Sequence, residues 1–71
     1  MDTKQNKNKL GKKIKTLRLK NSLSQDEFAR KADIPYTTLT KIETGIIKKP
    51  SVYNILKIAK ALNVSLDSLM E

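Results

Sequence analysis

The sequence predicts an all-α fold, a compact bundle of five short helices around one hydrophobic core. Two patterns predict it. Apolar residues recur at three- and four-residue intervals over most of the chain, the period of a helix with one buried face. Residues that start or stop helices stand between those stretches, among them Ser24, Asp33, Pro35, Gly45, Ser51 and Asn63. No strand pattern, internal repeat or long linker interrupts the 71 residues, so the chain reads as a single small domain.

Each element follows in order. Residues 1–8 (MDTKQNKN) lack apolar anchors and are expected to form a disordered basic tail ahead of a folded domain over 9–71. Leu10, Ile14 and Leu17 stripe a first helix over 9–21, ended by Asn21-Ser22. Ser24 with Glu27 forms a capping box for a second helix, and Leu23 can staple onto Phe28. That helix runs to about Ala32, and Asp33 suits a left-handed turn. A third helix starts near Pro35 and stops before Gly45, which can take a positive φ. After the loop 46–50 (IIKKP), Ser51 caps a fourth helix whose expected apolar face is Val52, Ile55, Leu56, Ala59 and Leu62. Asn63 ends it. Ser65 caps a short fifth helix carrying Leu66, Leu69 and Met70, with Asp67 near its positive end.

Composition narrows the function. There is no Cys and no His, so thiolate chemistry, disulfides and the commonest general base and metal ligand are absent. No apolar run approaches the roughly 20 residues that span a bilayer, and no signal segment follows the first lysines. The formal net charge is +8. Residues 1–20 hold Lys4, Lys7, Lys9, Lys12, Lys13, Lys15, Arg18 and Lys20 against Asp2 alone. Such a block favours a polyanion, although charge cannot choose between DNA, RNA and an acidic membrane surface.

The choice comes from Gln25 to Thr44 (QDEFARKADIPYTTLTKIET). Phe28, Ala32, Ile34, Leu39 and Ile42 are apolar where two short helices must cross, Ala29 is small at the crossing, and Asp33 sits at the bend. This is the spacing of a helix-turn-helix, whose second helix usually lies in the DNA major groove.

The segments LRLKNSLSQDEFARKADI, TLTKIETG and PSVYNILKIAKALNVSLDSLM together resemble the helix-turn-helix domains of the phage repressor and Cro type, the xenobiotic-response-element family. The resemblance covers about residues 10–70 and implies a lambda repressor-like DNA-binding domain. It places Tyr36, Thr37 and Lys41 at base edges, with Thr40 at the margin, and Gln25, Thr38, Thr44, Lys48 and Lys49 at backbone phosphates. Lysine can donate to guanine O6 and N7, and a helix N-terminus near Gln25 suits a phosphate. It also implies that Arg18 and Glu43 form a structural salt bridge between the first helix and the end of the third. Three departures stand out: Asp33 replaces a common Gly, Pro35 replaces a common Ser or Thr, and the loop IIKKP is one residue longer than usual.

The function expected on this basis is sequence-specific binding of double-stranded DNA by a transcriptional regulator, a repressor, located in the cytoplasm of a bacterium or on a phage or bacterial nucleoid. One recognition helix reads too few base pairs for genomic selectivity, so a homodimer on an inverted-repeat operator is expected. Leu66, Leu69 and Met70, with Ile46 or Ile47, either close the core or form the dimer contact. No catalytic residue, metal, cofactor, small-molecule ligand or membrane contact is expected, since a small helical core leaves little room for an enclosed pocket. The alternatives are a protein-interaction module, including an antitoxin or controller component on the same fold, and a non-specific RNA or membrane binder acting through the N-terminal lysines.

Overall fold

The computed structural model describes residues 9–70 as five α-helices: α1 Lys9–Lys20, α2 Gln25–Ala32, α3 Tyr36–Thr44, α4 Val52–Leu62 and α5 Leu66–Met70. The tail expected over 1–8 lies outside the described residues. α3 lies against α1 and α2, α4 lies behind α2, and α5 closes the bundle against α1 and α4.

Local chemistry sets each boundary. α1 ends as Asn21 bonds back to the Leu17 carbonyl and Ser22 turns left-handed at φ 58°. At α2 the Glu27 N–H donates to Ser24 Oγ (3.1 Å) and the Ser24 N–H donates to Glu27 Oε1 (2.9 Å), which closes the capping box. The Ser24 N–H donated to its carboxylate first, and the Ser24 hydroxyl second, hold the Glu27 carboxyl below its ordinary pKa.

Asp33 is left-handed (φ 60°, ψ 46°), its N–H reaching the Arg30 carbonyl while that of Ile34 reaches Ala29. Its carbonyl in turn accepts from Lys57 Nζ of α4 at 3.2 Å. Gly45 at φ 89° ends α3, where glycine adopts a positive φ without the Cβ clash. Ser51 and Ser65 accept from the N–H groups three residues on, and Asn63 ends α4 in the left-handed region.

The core is drawn from every helix: Ile14, Phe28, Leu39, Ile42, Ile58 and Leu69 are the largest side chains sealed inside it. Leu10, Leu17, Leu23 and Ile47 pack on its edge. Two expectations are corrected. The buried stripe of α4 is Ile55, Ile58, Ala59 and Leu62, whereas Val52 (69 % exposed) and Leu56 are turned out. Helical spacing explains it: 55, 58, 59 and 62 share one arc, and 52 and 56 lie on the next. In the tail of the domain, Leu69 and Ile47 serve the core and leave the list of dimer contacts, while Leu66, Met70 and Ile46 are exposed.

Candidate nucleic-acid interface

The interface is built on α3. Its inner arc is Leu39, Ile42 and Glu43, all buried. At about 100° per residue, Thr37, Lys41 and Thr44 then fall together on the outer arc, and all three are exposed. Tyr36 is exposed at the helix start, 49 % of its surface free. Thr38 and Thr40 flank the outer arc and are half-buried.

The hydroxyls are partly committed. Thr40 Oγ1 donates to the Thr37 carbonyl (2.9 Å) and Thr44 Oγ1 to the Thr40 carbonyl (2.8 Å). In this rotamer each offers a partner its methyl group and an acceptor oxygen, so a phosphate contact from Thr44 requires its hydroxyl to turn from the helix.

The helix is held at its C-terminal end by a buried charge. Arg18 Nε donates to Glu43 Oε2 at 2.8 Å and its Nη2 to Oε1 at 3.2 Å, with side chains only 6 % and 2 % exposed. Arg18 Nη1 also donates to the Leu23 carbonyl at 2.7 Å, so one guanidinium joins α1, the loop before α2, and α3. Gln25, in the first turn of α2, donates from Nε2 to Glu43 Oε1 at 3.0 Å. Its amide therefore points at the junction, and its second Nε2–H is the donor a phosphate could take.

Pro35 precedes α3, extended at φ −63° and ψ 142°, and gives it no side-chain cap. Proline supplies no hydroxyl or carboxylate, so the first N–H groups of α3 receive no help from that position. Beyond Gly45, the Ile47 N–H donates to the Lys41 carbonyl at 2.9 Å and folds the loop back on the helix. Lys48 and Lys49 follow, both exposed. Two features escaped the sequence reading. Thr at positions 40 and 44, one turn apart inside a helix, signals hydroxyls bonding backward. The Gln25–Glu43 bond had no local signal, because 18 residues separate the partners.

Comparison with known proteins agrees with this fold. A family model described as helix-turn-helix matches residues 14–69. No curated protein matches the chain. The N-terminal DNA-binding domain of SinR from Bacillus subtilis is 30 % identical, covers 90 % of this chain and 93 % of its own, and superposes with a TM-score of 0.86. A crystal structure of SinR, described as the master regulator for biofilm formation, in complex with DNA is 31 % identical over 87 % of this chain and 98 % of its own, with a TM-score of 0.84. No helix among the described residues is long and apolar enough to cross a membrane. With five short helices among the described residues, α3 packed against α2, and the family match over residues 14–69, this chain belongs to the Cro/C1-type helix-turn-helix family.

Proposed function

We propose that the chain is a DNA-binding transcriptional regulator of the repressor class that reads double-stranded DNA in the major groove with α3. One observation carries the reading: α3 is clamped from inside through Glu43 while Thr37, Lys41 and Thr44 share its free arc. Lys41 and Thr37 read base edges, with Tyr36 and Thr40 beside them. Lys48 and Lys49 meet phosphates, as do Thr38 and, once its hydroxyl turns, Thr44. Gln25 shares its amide between Glu43 and a phosphate. The net charge of +8 steers encounter.

The regulator acts as a homodimer on an inverted repeat with half-sites about 34 Å apart, or multiples of that. Leu66, Met70 and Ile46 support this, being apolar side chains left outside the core. It works as a binding module without catalysis, in the cytoplasm. Selection of bound sequences from a random duplex pool tests the reading. A palindromic consensus is expected; a bound pool with no consensus would overturn it.

A further inference from the structure

We propose that α1 carries a second DNA-binding surface, independent of sequence, which holds a neighbouring duplex while α3 engages its site. The proposal rests on the reading of α3 given above. α1 (KLGKKIKTLRLK) contains no carboxylate. Its one buried cation, Arg18, is taken by Glu43; the other ion pairs among the described residues are Arg30–Asp26 and Lys57–Asp33. Among the described residues, then, Lys9, Lys12, Lys13, Lys15 and Lys20 have no carboxylate partner on this twelve-residue helix, Lys13 half-buried and the other four exposed.

The placement runs against helix stability. Lys9 and Lys12 occupy the first turn, where the helix dipole is positive and an acid would be favourable, and no acid is there. Lys9 faces Lys12 and Lys13 at i+3 and i+4, spacings at which like charges repel. Such a pattern is repaid when a polyanion covers it, because each neutralised phosphate releases a counterion.

Direction decides which polyanion contact this is. Gly11, Ile14 and Arg18 form the buried stripe of α1, and Arg18 points at α3 through Glu43. Lys9, Lys13, Thr16 and Lys20 follow at steps of four, three and four, on the stripe opposite to Arg18. The reading arc of α3 is likewise opposite to Glu43. The two helices meet through their inner faces, so the lysine stripe and the reading arc look away from each other. One straight duplex on α3 leaves Lys9, Lys13 and Lys20 without phosphates, and a second duplex supplies them. A lipid surface fits less well, since Leu19 is the one exposed large apolar side chain of α1.

The test is a two-duplex capture with the full chain. A duplex bearing the selected site is immobilised and loaded with protein, and a labelled duplex without the site is added. Wild type is expected to retain the second duplex. The variant Lys9→Gln/Lys13→Gln/Lys20→Gln is expected to lose about tenfold or more of that retention, with the salt slope of capture lower by nearly three. It should keep its preference for the first duplex, and Lys9→Arg/Lys13→Arg/Lys20→Arg should restore capture.

Failure of wild type to capture overturns the proposal, as does undiminished capture by the glutamine variant, which would assign bridging to a second α3. Equal loss of both duplexes by that variant overturns it too, because the lysines would then serve the first duplex. So does retention of anionic vesicles in place of DNA. Site preference without capture defeats this proposal alone, whereas absence of any site preference in wild type defeats the reading of α3 as well.

Discussion

The side-chain amide of Gln25 donates to Oε1 of Glu43 at 3.0 Å, tying the first turn of α2 to the last turn of α3. Gln25→Met keeps the length of the side chain and removes the bond. It is expected to lower stability by about 1–3 kcal/mol and to lower discrimination between the selected site and a scrambled duplex more than affinity for the scrambled one. Titration of both duplexes measures this. Equal weakening on both would make Gln25 a phosphate contact alone.

Arg18 and Glu43 form a buried pair, whose loss is asymmetric. Arg18→Met leaves a carboxylate buried without its cation and should destabilise the chain by about 3–5 kcal/mol. The double variant Arg18→Met/Glu43→Leu should recover most of that loss, because neither charge is then desolvated. Urea unfolding of the two single variants and the double variant gives the coupling. A double variant as unstable as the sum of the singles would contradict the argument.

Lys41 and Thr37 occupy the middle of the outer arc of α3. Lys41→Ala and Thr37→Ala should each reduce discrimination by about 1–3 kcal/mol per good contact, with the fold intact. Competition between the selected and scrambled duplexes reports it, and full discrimination in both variants would remove α3 as the reader.

Lys48 lies in the loop that Ile47 folds back onto α3. Lys48→Ala should weaken binding to every duplex alike and lower the slope of log K against log salt by about one. An unchanged slope would take Lys48 out of the phosphate set.

Glu27 is exposed, and its lowered pKa comes from the capping box. A carboxyl lowered in the folded state stabilises the chain above the ordinary carboxylate range, and that contribution disappears as pH falls through the folded-state value. Glu27→Gln keeps an acceptor for the Ser24 N–H and should flatten the stability profile in that acid range relative to wild type. Thermal melts from neutral to acid pH follow the difference; parallel profiles would discount the box as its source.

The fold was legible because its signals are local. Ser24 with Glu27, Asp33, Gly45, Ser51 and Asn63 each act within about one turn, and the structure uses all of them. The face of α4 was misjudged at Val52 and Leu56, since which arc of an apolar helix faces inward depends on partners elsewhere in the chain. The outer arc of α3 could be read from the spacing of Leu39 and Ile42. What Gln25 bonds could not, because the nearest acceptor comes from a helix 18 residues away.

The caps have a consequence in time. With each described helix boundary set by neighbours a few residues off, much of the ordering needs no distant contact. Short-range topologies of this kind fold in microseconds to milliseconds. The slow part of assembly is then the meeting of α1, α2 and α3 at Glu43, which completes the reading surface. A rapid-mixing or temperature-jump experiment should show helix signal developing at least as early as protection of that junction, so the capacity to read DNA would be the last property the chain acquires as it folds.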